Sequence, residues 1–414
     1  MYLFYFLSAI VIWLGINSVR DGLRFARFVH SEVTKPLPDF TPFVSVIAPC
    51  RGLDQGLRDN LVTLFRQDYP NYEIVFVTDQ DDDPSLTVIG ELIRSETQAN
   101  QISTRIVISG PATDCGQKVH NLRVAVKEID SRTEVLVFVD ADCHPGTDWL
   151  RSLVAPLRAE NVGAATGYRW FIPERRGFAS HLCSVWNASI ASALGPNVDK
   201  NFCWGGSTAI RRETLERLNI RQHWQGTVSD DFTITRVLKS AGLPIHFVPR
   251  CLTASLEDCS AHELLEFSTR QLKITRTYAS HLWKAVLIGS LLFCLVFFGG
   301  IGLFVARLAL GESILIAAAI LLLIFGLGVA KAHIRFRAVE TVLAQHSREL
   351  RRTRLAHLFL WPIASALYLW NAIAAAFSSR IEWRGIIYEL KSPTEAVIIN
   401  RSYRSHRSHR SYKK

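Results

Sequence analysis

Three long apolar runs without a single charge constrain this chain more than any other feature. Residues 1–19 (MYLFYFLSAIVIWLGINSV), 286–306 (VLIGSLLFCLVFFGGIGLFVA) and 313–330 (SILIAAAILLLIFGLGVA) are each about long enough to cross a hydrocarbon core. The first has neither a charged leading region nor a small-residue cleavage site, so it reads as an uncleaved anchor and not a signal peptide. The other two, separated by a tight link around Gly311 and Glu312, read as a helical hairpin. A chain of 414 residues leaves room for a further domain beside these segments.

Orientation follows from the basic flanks, because loops rich in Lys and Arg stay on the cytoplasmic side. Residues 20–35, residues 331–354 and the tail from Arg380 are all basic. One anchor plus one hairpin puts the central region and residues 331–354 on the same face, which the rule makes cytoplasmic. A fourth apolar run, residues 355–377, contains His357 and Pro362. If it crossed, the basic tail would lie outside, so a re-entrant or interfacial segment is the favoured expectation.

The net charge is +10, from 47 basic and 37 acidic residues. Part of it sits in the low-complexity end RSYRSHRSHRSYKK, which reads as a disordered, solvated tail with anionic lipid headgroups as its natural partner; nucleic acid is not expected. The eight cysteines show no metal-ligand spacing, so reduced thiols are the default in a cytoplasmic domain. Nothing in the sequence calls for a required protein partner.

Between about Pro36 and Cys259, residues 44–48 (VSVIA), 73–77 (EIVFV), 104–108 (TRIVI) and 135–139 (VLVFV) have the continuous β-branched character of buried parallel strands. Amphipathic stretches at 57–67, 85–98 and 117–129 separate them, and the βαβαβαβ order predicts an α/β fold with a doubly wound, mostly parallel sheet. Such sheets bind ligands beyond the carboxyl ends of their strands. Three of these ends carry Pro49-Cys50-Arg51, Thr78-Asp79-Gln80-Asp81 and Asp140-Ala141-Asp142. No glycine-rich dinucleotide or P-loop fingerprint is present; carboxylates occupy the binding edge. Asp140 and Asp142, two apart on extended chain, point the same way and can hold a hard divalent ion, Mn²⁺ or Mg²⁺, which bridges a diphosphate. The acidic turn at Asp79 and Asp81 could hold a nucleoside.

These stretches resemble the family 2 type glycosyltransferases of GT-A fold, within them the ceramide glucosyltransferase-like branch. The likeness is carried by QDYPNYEIVFVTDQDDDP with Asp79, VFVDADC with Asp140 and Asp142, and TVSDDFTITRVLKSAG with Asp231. It also rests on GQKVHNL with Lys118 and Asn121, and on IEWRGIIYEL with Trp383, Arg384 and Tyr388. The resemblance implies an inverting hexosyltransferase with Asp79 at a uracil pocket, the DxD pair on metal and diphosphate, and Asp231 as general base. It implies UDP-glucose as donor and a ceramide-like lipid as acceptor. Pro49, Arg51, Asp79, Asp81, Lys118 and Asp140 are the candidate donor-binding residues. Trp204, Gly205, Asp230, Arg270, Lys273, Trp383 and Arg384 are candidates for acceptor or diphosphate.

Several of these residues have a plain structural alternative. Asp231 opens a helical stretch and serves either as base or as N-terminal cap, with Asp230 the other candidate cap. Gly205, in Trp204-Gly205-Gly206-Ser207, marks either a close approach of backbone to acceptor or a packing turn. Lys118 either reaches a donor phosphate or starts a surface helix. Where related enzymes carry (Q/R)xxRW, this chain has Arg270-Gln271-Leu272-Lys273-Ile274, which keeps charge but loses the guanidinium fork and the tryptophan. Arg270, Lys273 and Arg276 share one helical face within an expected interfacial segment. A processive polysaccharide synthase and an inactive nucleotide-sugar-binding membrane protein remain the readings from other classes.

The expected organisation is an anchor and basic flank (1–34), a cytoplasmic GT-A catalytic domain (35–259), an interfacial helix (260–284), a transmembrane hairpin (285–331), a basic loop (332–354), a re-entrant or fourth spanning segment (355–378), and a WRG motif with basic tail (379–414). An epitope placed after Lys414 should then be reached by antibody only in permeabilised cells; labelling of intact cells would mean that the fourth run spans.

Overall fold

The computed structural model describes residues 2–100, 102–175 and 177–401. The basic repeat expected to be disordered lies, from residue 402 onward, outside the described residues. The chain forms two compact units. One is built on a sheet and takes residues 34–170, 196–255 and those from 379 on; the other is helical and takes 1–33, 171–195 and 256–378.

The sheet unit has seven strands: β1 (Val44–Pro49), β2 (Tyr72–Thr78), β3 (Ser103–Ile108), β4 (Val135–Val139), β5 (Ala164–Ile172), β6 (Ser207–Arg211) and β7 (Ile245–Leu256). Their order across the sheet is β3-β2-β1-β4-β6-β5-β7. The first four strands pair in parallel, as their continuous apolar character predicts, with β1 between β2 and β4. Sequence succession runs outward from β1 to β3 and then jumps back to β4, so the carboxyl ends of β1 and β4 flank the point where the order reverses. β1, β2 and β4 are almost wholly buried. β3 departs from that expectation: it is the edge strand, and Ile106 and Ile108 are exposed because no strand lies beyond it. β6 runs antiparallel to β4 with Val139 opposite Ser207, which puts the Trp204–Gly206 turn beside the residues that follow β4.

Trp224 is fully buried under this edge, with its ring edge-on to Phe138 at 5.6 Å. Its indole N–H donates to the Asp230 carbonyl at 3.2 Å, fixing the start of the helix Asp230–Ser240.

The chain returns to the sheet unit with a second, antiparallel sheet of β8 (Arg380–Trp383), β9 (Ile386–Ser392) and β10 (Glu395–Arg401). Its contacts are specific. The Tyr388 hydroxyl oxygen accepts from the Gln117 backbone N–H at 3.1 Å, satisfying a free donor at the start of the helix Gln117–Ala125. Arg401 donates to the Ala112 carbonyl and, at 3.4 Å, to Gln117 Oε1.

Among the described residues, three helices of the helical unit are long and apolar enough to cross a membrane, Tyr2–Thr34, Ser280–Ala309 and Leu315–Val342. The fourth apolar run is no straight rod: Ala344–Phe359 and Trp361–Phe377 meet at a bend of 72°, the geometry of a broken span or a re-entrant loop. Pro362 sits in the first turn after the break, where its missing N–H costs nothing. Small residues allow close crossings, as where Gly15 faces Leu327 and Gly300 faces Phe4 and Leu321. Two polar contacts tie helices of this unit together: Asn371 Oδ1 accepts from Ser268 and Thr269, and Arg276 donates to the Ala375 carbonyl at 2.7 Å. The expected catalytic segment 35–259 is thus interrupted. Residues 171–195 join the helical unit because the helix Phe178–Ala191 buries Leu182, Val185 and Trp186 there, together with the polar Ser180, Ser184 and Asn187.

Gly226 is the tightest seat of the small sheet, with φ +74° and the Thr394 carbonyl where a Cβ would stand. Gly226→Ala should cost about 2 kcal/mol or more through left-handed strain and overlap, and should raise hydrogen exchange selectively in residues 386–401. Unchanged exchange there would show that this contact does not seat the sheet.

Candidate active site

The functional side chains arise where the parallel strands end, because there the backbone leaves its ladder and polar groups can reach the crevice. After β1, Pro49 is half-buried and Arg51 turns toward β2, its Nη1 lying 3.4 Å from Asp79 Oδ2. Asp79 is 3% exposed, and among the described residues neither carboxylate oxygen has a hydrogen-bond donor. Burial raises its pKa and Arg51 opposes the rise. A carboxylate so placed is an acceptor ready for an N–H from a planar ligand. Asp81 is exposed and stays outside this cluster. Asp83 takes the structural part instead, accepting from the Gly52 N–H at 3.0 Å and from the Ser85 N–H at 2.8 Å.

After β4, the two aspartates of the DAD run meet different cations. Asp140 Oδ1 is 2.6 Å from Lys118 Nζ, which also lies 3.3 Å from Asp230 Oδ1. Burial alone would lower the Lys118 pKa, but Asp140 and Asp230 more than offset it and the net direction is upward. Asp142 Oδ2 is 3.2 Å from Arg169 Nη1. Burial raises the Asp142 pKa, Arg169 opposes that, and Asp140 adds to it. Arg169 also lies 5.6 Å over the Trp204 ring, which packs 5.3 Å from Tyr168.

The Trp204–Gly206 turn closes the next side. A Cβ on Gly205 would overlap the Asp230 carboxylate and the Lys118 ammonium, so glycine is required by close approach of the site's own groups. The Gly205 N–H donates to Asp231 Oδ2 at 3.4 Å. Asp231 is half-buried, and its Oδ1 accepts from the Ser229 hydroxyl and, at 2.7 Å, from the Phe232 N–H. The helix cap is Ser229, whose hydroxyl accepts from Phe232 N, and not Asp230. Asp230 instead points inward at 2% exposure, its pKa pushed up to about 6 by burial and by Asp231 and Asp140 against the pull of Lys118.

From the small sheet comes Arg384. It donates to Asp54 Oδ1 and Oδ2 at 2.7 and 2.6 Å and to the Arg51 carbonyl at 3.1 Å. Trp383, half-buried, ends β8 just before it. Arg270 and Lys273 lie in the helical unit on the helix Ala261–Tyr278. There Arg270 pairs with Glu266 at 3.6 Å and stacks over Phe267, and burial lowers the Lys273 pKa.

The donor set at Asp140 and Asp142 fits a hard divalent ion. Both side chains are carboxylates, met by Lys118 at Asp140 Oδ1, by Arg169 at Asp142 Oδ2 and by the Cys143 thiol at Asp142 Oδ1 at 3.9 Å. A second group, Asp114, Cys115 and His120, also brings ligand atoms within 4.8 Å. There Arg123 lies 3.1 Å from both Asp114 oxygens, and burial pushes the Cys115 thiol up to about 12, so that group is an ion pair with a buried thiol.

Sequence reasoning missed Arg169, Asp54 and Asp83. Arg169 did leave a signal, as the one charged residue in the otherwise uncharged strand AATGYRWFI. Asp54 left none, since its partner is 330 residues away.

The family described as Glycosyl transferase family 21 matches residues 7–396. A ceramide glucosyltransferase 1 of Caenorhabditis elegans is 22% identical over 235 residues, 56% of this chain and 49% of that protein. A ceramide glucosyltransferase of Gibberella zeae is 25% identical over 171 residues, 38% of this chain and 31% of that one. The chain spans about half the length, or less, of these curated relatives. Among solved structures, the mannosyltransferase PcManGT of Pyrobaculum calidifontis, in complex with GDP-Man and Mn²⁺, aligns over 90% of this chain and 98% of its own at 19% identity, with a TM-score of 0.47.

Removing Lys118 leaves two carboxylates facing each other in a largely dry place, and Lys118→Met should destabilise by about 3 kcal/mol at pH 8. Because the folded pKa of Asp230 stands above its ordinary value, the folded state binds more protons than the unfolded one, and stability is lost as pH rises through that folded pKa. The variant's deficit should therefore shrink at pH 5, where Asp230 is neutral. A deficit equal at pH 5 and pH 8 by chemical denaturation would contradict the buried-pair account.

Proposed function

Because the chain belongs to glycosyl transferase family 21, we propose that it moves a hexose from a UDP-linked donor to the hydroxyl of a ceramide-like lipid, with inversion, at the cytoplasmic membrane face. The observation that carries this reading is the gathering of Asp79, Asp140, Asp142, Asp230 and Asp231 on one sheet edge at the strand-order reversal, each within reach of a cation or N–H donor. The relatives named ceramide glucosyltransferase support a lipid acceptor, and the three candidate spans support a membrane setting.

In this reading Asp79, buried and without a donor among the described residues, accepts the N–H of the uracil base, with Arg51 fixing its orientation. Pro49 and Arg51 form the rim of the nucleoside pocket. Asp140 and Asp142 would hold a divalent ion, which would supply charge neutralisation at the diphosphate. Asp231, held by Ser229, Phe232 and Gly205, takes the proton of the lipid hydroxyl. The hydroxyl oxygen forms its bond to the anomeric carbon as the carbon–oxygen bond to the diphosphate breaks on the opposite face. Lys118 sits between Asp140 and Asp230 and couples the two ends electrostatically.

The aspartates have separable parts, which allows a direct test. Asp142→Asn should lower donor affinity and turnover together. Asp231→Asn should leave donor affinity near normal while transfer falls by about 10²-fold or more. Calorimetric titration of UDP-glucose with both variants, alongside mass spectrometry of lipid products, reads both quantities. Near-normal transfer by Asp231→Asn would assign Asp231 to helix capping. A polymer in place of a monoglycosylated lipid would favour a processive synthase, and binding without any product an inactive binding protein. Excess chelator should abolish transfer, and full activity in its presence would remove the ion from the reading.

A further inference from the structure

Arg384 occupies an unusual position. It and Gly385 are the two central residues of the tight β8–β9 turn, with Trp383 paired to Ile386 and φ of +53° and +74°. That is a mirror-image hairpin turn, whose first central position favours Gly, Asn or Asp; a long side chain there is strained. The strain sets a guanidinium fork at the mouth of the crevice, bidentate on Asp54 and bonded to the carbonyl of Arg51. The side chains of Arg384 and Asp54 are 38% and 28% exposed. The pair thus ties the turn to the loop that follows β1, the strand beside β4, whose end carries Asp140 and Asp142.

We propose that Asp54 holds the Arg384 guanidinium only while no ligand is bound, as a competing carboxylate, and that the donor's diphosphate replaces Asp54 as the partner of that guanidinium. The inference rests on the nucleotide-sugar reading and assigns the exchange within it. A guanidinium fork accepts phosphate oxygens in the same planar, two-point geometry as a carboxylate. Among the cations of the edge, Arg384 is the most exposed one; Arg169 also pairs with a partly exposed carboxylate, Asp142, but is itself 12% exposed and held 5.6 Å over the Trp204 ring. Lys118 cannot leave without uncovering Asp230 at 2% exposure, and Arg51 cannot leave without uncovering Asp79 at 3%. Asp54, already open to water, is rehydrated when Arg384 turns away. The Arg51 carbonyl bond keeps the turn against the end of β1 throughout.

The sign of one substitution separates exchange from bracing. In full-length protein in nanodiscs, titrated calorimetrically with UDP-glucose and with inorganic pyrophosphate, both with Mn²⁺, Asp54→Asn should tighten both ligands by roughly fivefold, the scale of a partly exposed bidentate pair. Arg384→Gly keeps the turn, since glycine takes that φ freely, and should weaken both by roughly tenfold. In the double variant the gain from Asp54→Asn should vanish, and Asp54→Glu should remain within about twofold of wild type. The KM for donor should fall in Asp54→Asn together with kcat, because Arg384 then holds the product diphosphate longer. If Asp54→Asn weakens donor binding or leaves it unchanged in a folded protein, Asp54 is a static brace and the exchange is overturned. If wild-type protein binds neither probe, the nucleotide-sugar reading itself fails and the exchange with it.

Discussion

A carboxylate withdrawn from water needs a cation close by, and the carboxyl edge of this sheet withdraws several at once. Asp79 is matched by Arg51, Asp140 and Asp230 by Lys118, Asp142 by Arg169 and Asp54 by Arg384. These pairs join separate parts of the chain: the ends of β1 and β2, the helix that starts at Gln117, the end of β4, β5, the helix that starts at Asp230 and the β8–β9 turn. The geometry of the edge therefore depends on charge matching as much as on the apolar layers beneath it. Those layers have their own share. Trp224 under Phe138 and on the Asp230 carbonyl fixes the height of the helix start, and without it the Lys118 bridge would have no fixed second anchor.

Much of this edge was legible from residues alone, for a definite reason. Strands buried on both faces must be continuous in apolar residues, so VSVIA, EIVFV and VLVFV announce themselves, and the polar residues just beyond them have to lie at the sheet edge. Asp79, Asp140 and Asp142 follow from that logic. β3 was read as equally buried because its composition is the same; that it lies at the sheet edge is a property of the whole topology and not of the segment. Arg169 was overlooked because one charge in an apolar strand looks like a surface position until β5 is placed beside the Trp204 turn. Asp54 and β8–β10 were hidden more deeply. Their meaning lies in contacts spanning about three hundred residues, and no local period or motif spacing encodes such a contact.

In the helical unit, length and apolarity single out three helices long and apolar enough to cross a membrane, yet neither property locates a bend. The break near Leu360 follows from Pro362 and from the ring of Trp361, which fills the place a side chain on Gly328 would need. The helix Phe178–Ala191 escaped notice for the opposite reason. At 14 residues it is too short to span, and its burial partners come from segments distant in sequence.

The late arrival of β8–β10 orders the making of the protein in time. During synthesis β1 to β7 can leave the ribosome and pair while the apolar helices that follow are still being made, since domains form as the chain emerges. The bond from the Gln117 N–H to the Tyr388 hydroxyl closes a loop of 271 residues and must wait for them. Until the last helices are in place, the Arg51 carbonyl and the Asp54 carboxylate have no guanidinium, and the crevice between β1 and β4 stays unfinished. A chain that ends before β8 thus lacks one side of the rim, and the last strands made are the ones that complete the edge.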